Sequence, residues 1–163
     1  MTGVNHVGLT VPHLESAIEW YRAVFDMPLL AGPIECDLYT RGAQRRREIF
    51  GPSWGGMRIA HLGSSNGAGI ELFEFIRPPV VVPDDNFPFA TVGLHHVALT
   101  VADFEETLGR VLAHGGRQRC APSEIYAGVL VCYCEDRWGN VIEITNAEYD
   151  RLARATTVTD PST

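Results

Sequence analysis

A chain of 163 residues, 45% hydrophobic and 20% charged, has the ordinary balance of one globular domain able to bury a core. A net charge of −7 argues against a nucleic-acid partner, and no apolar run approaches the roughly 20 residues of a membrane span. The N-terminus shows no basic stretch followed by an apolar one, so no signal peptide is expected and the expected location is cytoplasmic.

Residues 4–11 read as a first strand, apolar and β-branched, ended by Pro12. Residues 13–25 read as a helix with Leu14, Ile18, Tyr21 and Phe25 on one face and Glu15, Glu19 and Arg22 on the wet face. Asp26-Met27-Pro28 stops it. A second strand opens at Leu29–Ala31 and, after a break at Gly32-Pro33, can extend to Leu38 or Tyr39. Residues 40–56, which hold Arg45-Arg46-Arg47, read as a loop or short helix. Strands follow at 57–62 and 69–76 around a Gly/Ser turn. Residues 77–92 contain four prolines with Asp84 and Asp85 and read as an extended connector. The order then repeats: strand 94–101, helix 103–114 closed by Gly115-Gly116, short strand 117–121, strand 128–134, turn 136–139 and strand 140–145. A short helix is expected over 147–155 and disorder over 156–163.

That repetition is written in the residues. Gly3-Val4-Asn5-His6-Val7-Gly8-Leu9-Thr10-Val11 returns as Gly93-Leu94-His95-His96-Val97-Ala98-Leu99-Thr100-Val101 at an offset of 90. Gly67-Ala68-Gly69-Ile70-Glu71-Leu72 returns as Gly139-Asn140-Val141-Ile142-Glu143-Ile144 at an offset of 72. The fold class expected is therefore α+β: two βαβββ modules, 1–76 (with the insert 40–56) and 93–146, joined by 77–92 and followed by a tail, 147–163. The two are expected to pair into a cupped, barrel-like mixed sheet with the helices outside and a ligand cavity inside.

Strand alternation puts His6 on the inner face with Val4, Gly8 and Thr10, and His96 on the inner face with His95 outside. It puts Glu71 inward with Gly69 and Phe73, and Glu143 inward with Val141 and Thr145. Two carboxylates in one cavity repel unless protonated or bound to a cation. A single divalent ion held by His6, Glu71, His96 and Glu143 removes both costs, and that donor set suits Zn²⁺, Ni²⁺, Co²⁺, Mn²⁺ or Fe²⁺. One His in a strand is most often structural; two His and two Glu at repeat-equivalent positions favour the metal. Arg45, Arg46 and Arg47 could bind an anionic tail or form a solvated loop, with Arg47 the candidate substrate contact. Glu48 could serve as a base or pair with an Arg. Trp54, Met57, Phe73 and Tyr133 are candidate pocket residues. His61 and His114 read as surface or core residues. Cys36, Cys120, Cys132 and Cys134 show no CxxC spacing and read as reduced, half-buried thiols.

The HVGLTV and HVALTV openings with the GIEL and WGNVIEI closings resemble the vicinal oxygen chelate superfamily over about residues 4–146. Its members include glyoxalase I, methylmalonyl-CoA epimerase, extradiol ring-cleaving dioxygenases, fosfomycin-modifying enzymes and bleomycin-binding proteins. The resemblance implies His6, Glu71, His96 and Glu143 as ligands, and a complete set of two His and two Glu is more like glyoxalase I. The 40–56 loop does not match the glutathione-binding residues of glyoxalase I. The implied chemistry is that of a lyase or isomerase: a metal chelates two neighbouring oxygens of a small substrate and stabilises an enediolate while a carboxylate moves the proton. Glu143 is the first candidate base and Glu71 the second. The alternatives are an Fe(II)-dependent ring-cleaving dioxygenase and a non-catalytic drug- or metabolite-binding protein. A homodimer is expected.

Overall fold

The computed structural model describes residues 2–155; the stretch 156–163, expected to be disordered, lies outside them. The chain divides into two compact units, Met1–Val82 and Pro83–Thr163, at a point inside the proline-rich segment.

The first unit contains β1 (His6–Thr10), α1 (Leu14–Phe25), β2 (Leu29–Asp37), α2 (Ala43–Phe50), β3 (Gly56–Gly63) and β4 (Gly69–Arg77). Its sheet runs β1-β4-β3-β2, with β1 parallel to β4 and the other pairs antiparallel. The helical spacing of Leu14, Ala17, Ile18, Tyr21 and Val24 gives α1 one fully apolar face, and all five are buried. That face packs on β3 and β4, where Ile70 and Leu72 are buried. His13 supplies no side-chain cap; Glu74 of β4 does the work across the sheet, its Oε2 accepting from Leu14 N at 3.3 Å. Arg58 then ties Glu74 to Glu15 of α1 and Glu35 of β2. Asp26 ends the helix in the left-handed region, φ 55°, a conformation Asp tolerates.

β2 takes the longer of its two expected forms: it passes Gly32-Pro33 with a register shift between Ala31 and Ile34 and pairs β3 to its end at Asp37. Within 40–56 the short-helix alternative forms. α2 is fixed by its apolar residues: Phe50 packs edge-on against Phe73 and Phe75, at centroid distances of 6.3 and 5.1 Å. Ala43 packs on the cluster of Cys36, Trp54, Met57 and Ile59. The insert thus covers part of the sheet face that α1 leaves free.

The second unit contains β5 (Val97–Thr100), α3 (Phe104–Ala113), β6 (Arg117–Gln118), β7 (Ser123–Tyr126), β8 (Val129–Glu135), β9 (Val141–Thr145) and α4 (Tyr149–Ala155). The sheet order is β5-β9-β8-β6, with β7 also on β8, so this sheet has five strands where four were expected. β7 was missed because Ala127-Gly128 is the hairpin turn between it and β8, with Gly128 at φ +73°, and not the start of β8. β6 and β7 together fill the place of β2: Gln118 opposes Cys134 as Leu29 opposes Leu62, and Ser123 opposes Val131 as Ile34 opposes Ile59. Asp103 caps α3, Oδ1 accepting from Glu106 N at 2.9 Å. Phe104, Leu108 and Val111 of α3 are buried, as are Ile142 and Ile144 of β9, and the helix packs on β6, β8 and β9. Neither sheet closes on itself. No helix among the described residues is long and apolar enough to cross a membrane.

The segment 77–92 does more than connect. Asp85 pairs with Arg119 at 3.3 Å, the Arg119 guanidinium lies 4.5 Å from the Phe87 ring centroid, and Phe87 packs on His95 and Tyr133. An aromatic and a carboxylate dock its second half on the second unit.

Candidate metal half-sites

In the first unit β1 carries His6, β4 carries Glu71 and β3 carries His61. His6 pairs in register with Gly69, so Glu71, two residues on, shares its face; His61 lies directly opposite Glu71. His6 Nε2 stands 3.4 Å from Glu71 Oε2, and His61 Nε2 stands 3.8 Å from Glu71 Oε1. His6 Nδ1 is 2.7 Å from Asn5 Oδ1. A proton on Nδ1, donated to Asn5, leaves the lone pair on Nε2, which then faces a carboxylate oxygen. Two acceptors face to face repel unless a proton or a cation lies between them.

The second unit repeats the pair. His96 Nε2 stands 3.6 Å from Glu143 Oε2, and Glu143 is 8% exposed. Tyr133 lies directly opposite Glu143 across β8–β9 and reaches His96, its hydroxyl 3.4 Å from Nδ1. Burial first, and then the hydrogen bond and charge of Glu143, push the Tyr133 phenol up to about 12. It is a neutral donor at any ordinary pH.

Two corrections concern histidines. His95 does not point away from His96: the two Nδ1 atoms are 2.9 Å apart, and the His95 ring packs on Phe87 and Tyr133. Alternation holds only inside a strand, and β5 begins at Val97. His61 is partly exposed, as a surface residue would be, but it also stands beside Glu71, a neighbour that expectation did not give it. Its signal was the 72-residue offset, at which His61 corresponds to Tyr133, already a pocket candidate.

The other candidates fall in different places. Trp54 and Met57 are 2% and 3% exposed and sit in the apolar cluster beneath α2, with Phe73 partly buried against it. Arg47 lies with Leu38, Ala43, Gln44, Glu48 and Pro52 around an open cavity of about 490 Å³. Glu48 hydrogen-bonds Gln44 and Arg46 bonds the Arg41 carbonyl, so neither joins the half-sites. The four cysteines are free thiols, but not the half-buried ones expected: Cys36, Cys132 and Cys134 are buried, the last two on the α3 side, and Cys120 is exposed.

The separations suit metal ligands. Two donors about 2.1 Å from one ion, at about 90–110° to each other, stand about 3.0–3.4 Å apart, close to the 3.4 and 3.6 Å of the two His–Glu pairs. Among the described residues no group of three or more His, Cys, Asp or Glu side chains is arranged to hold a metal ion; each half-site offers one His–Glu pair.

The sequence model of the Glyoxalase/Bleomycin resistance protein/Dioxygenase superfamily matches residues 3–144. No curated protein matches. Among solved structures, a glyoxalase family protein from Bacillus cereus aligns with a TM-score of 0.72 at 22% identity, over 89% of this chain and 93% of that one. A mutant of the fosfomycin resistance protein FosX from Listeria monocytogenes, in complex with Mn(II) and 1S,2S-dihydroxypropylphosphonic acid, aligns with a TM-score of 0.57 at 16% identity, over 94% of this chain and 98% of that one. A mutant of glyoxalase I from Zea mays aligns with a TM-score of 0.58 at 18% identity, over 88% of this chain and 45% of that one. At these identities the structures establish the fold.

Proposed function

The chain belongs to the Glyoxalase/Bleomycin resistance protein/Dioxygenase superfamily, and from that premise we propose that it is a metal-dependent lyase or isomerase acting on a small substrate with two neighbouring oxygens. The observation that carries this reading is the repeated half-site: in each unit the imidazole at the N-terminal end of the opening strand presents Nε2 to the closing-strand carboxylate at ligand-pair separation. The donor set of His6, Glu71, His96 and Glu143 fits one divalent ion, with two neutral nitrogens and two anionic oxygens. The ion, when bound, would acidify a C–H beside the substrate oxygens and stabilise the resulting negative charge.

The chain's own groups do the rest. Glu143, low in exposure, is the first base: an oxygen of its carboxylate takes the proton from one carbon and returns it to the next. Glu71, in the equivalent place, is the second. The neutral phenol of Tyr133 holds His96 through Nδ1, the ring nitrogen that does not face Glu143, and sits opposite Glu143 across β8–β9. Arg47 and Phe73 are proposed substrate contacts, with Trp54 and Met57 acting from beneath Phe73. The same reading carries a homodimer and a reducing, cytoplasmic compartment, in keeping with the free thiols.

The test is hydrogen exchange at carbon. The metal-reconstituted protein is incubated in D₂O with α-hydroxy ketones, α-keto hemithioacetals and 2-substituted acyl thioesters, and deuterium uptake is followed by NMR. Uptake by one class, lost in Glu143→Gln or Glu71→Gln, supports the reading and picks the base. Oxygen consumption with an aromatic diol, without exchange, would replace it with a ring-cleaving oxygenase. Binding without turnover under every metal would leave a binding protein.

A further inference from the structure

Sulfur gathers in the second unit where the first has none. Cys134 Sγ lies 3.8 Å from Cys132 Sγ, Cys132 Sγ lies 3.2 Å from the Cys120 carbonyl oxygen, and the Tyr133 amide faces Cys120 Sγ at 3.5 Å. At the repeat-equivalent positions the first unit has Ala31, Ala60 and Leu62. Apolar packing at these places therefore does not require sulfur.

The strand register explains the approach. Arg117 opposes Glu135 and Gln118 opposes Cys134; Arg119 N still bonds Tyr133 O at 2.8 Å. Cys120 lies in the bend just past this ladder, where its carbonyl oxygen accepts from the Cys132 thiol and its own Sγ meets the Tyr133 amide. With Cys132 Sγ 3.2 Å from the Cys120 carbonyl oxygen, the two residues are close neighbours, within small movement of the Cβ separation of about 3.5–4.5 Å that a disulfide needs. The two thiols differ in access: Cys120 is exposed and Cys132 is fully buried. An accessible thiol beside a sheltered one is the arrangement of an attacking and a resolving cysteine.

We propose that Cys120 and Cys132 are a reversible dithiol–disulfide pair oxidised by hydroperoxides. The Cys120 thiolate attacks the peroxide O–O bond, becomes a sulfenic acid and releases water or an alcohol. The Cys132 sulfur then attacks the Cys120 sulfur; its proton leaves with the hydroxide as water and the S–S bond forms. One peroxide is reduced by two electrons, and the two thiols are oxidised by the same two.

The test treats the whole protein with a small excess of hydrogen peroxide, unfolds it under alkylation and cleaves it after glutamate. Cleavage at Glu124 separates Cys120 from Cys132 and Cys134. The expected product joins the Cys120 peptide to the other within one chain with the loss of two hydrogens, about 2 Da. It reverts with a dithiol reductant, persists in Cys36→Ser and disappears in both Cys120→Ser and Cys132→Ala. Cys132→Ala copies Ala60, and a thermal melt shows that it folds; Cys120→Ser changes an exposed side chain and serves if it does not. Oxygen added at Cys120 without a link, a Cys132–Cys134 link, a link between chains, or no reaction would each overturn the proposal.

Discussion

Tyr133 faces Glu143 across the β8–β9 pair in the register position that His61 holds opposite Glu71 across β3–β4. The two half-sites therefore differ in this supporting group, as they do where Asn5 of the first is replaced by His95 of the second. The phenol reaches His96 at 3.4 Å, whereas His61 lies 3.8 Å from Glu71. Partners of this kind that orient metal ligands are commonly worth about 10–100-fold in affinity. Tyr133→Phe is expected to weaken divalent-metal binding by about that factor with the fold intact; His61→Phe is expected to do less. Competition titration against a chromophoric chelator measures both, and equal losses would remove the distinction.

The same phenol makes a pH prediction. Its pKa rises from an ordinary 10 to about 12 in the folded chain, burial being the larger cause. A raised value for an acid means the folded state keeps its proton longer. The stabilisation is thus fully present below pH 10 and is lost as pH climbs from 10 through about 12. Tyr133→Phe should flatten that stretch of the stability profile in denaturant melts. An unchanged alkaline profile would place the Tyr133 hydroxyl in solvent.

Arg58 is the electrostatic joint of the first unit, touching Glu15, Glu35 and Glu74. Its hydrogen bond to Glu15 is the main cause holding that carboxyl below the usual range. Arg58→Met is expected to cost about 1–3 kcal/mol at neutral pH, most of it through Glu74, the least exposed of the three. A carboxyl with a lowered pKa stabilises above its unfolded value and loses that contribution as pH falls through the folded one. The difference between wild type and variant should therefore shrink in acid, below about pH 4. A difference that does not change between neutral and acid would make it a packing effect.

Trp54 anchors the insert, being 2% exposed within the cluster that holds Ala43 of α2. Trp54→Ala is expected to destabilise the protein by about 3–5 kcal/mol and to raise amide exchange over 43–50 before the rest of the sheet. Exchange that rises uniformly would show that α2 is not a separately anchored element.

The repeat was legible because both modules solve the same packing problem with the same residues at fixed offsets. Apolar pairs such as Ile70-Leu72 and Ile142-Ile144 had to face a helix, which sent Glu71 and Glu143 to the opposite face. Illegible were the features set by tertiary partners. α2 could be left open because its residues carry few apolar groups; Phe50 helps fix it only by finding Phe73 and Phe75. β7 hid behind a hairpin turn whose glycine resembled a strand start. His95 was misdirected because alternation was carried past the end of β5, where Phe87 decides the ring's position.

The most direct measurement is the metal content of the protein, purified without chelator or His-tag, beside His6→Ala and His96→Ala. About one divalent ion per chain, lost in both variants, is the expected result, since the proposed site takes ligands from both units. Retention in either variant would contradict the four-ligand site, and no metal in the wild type after reconstitution would contradict the metal-dependent account as a whole.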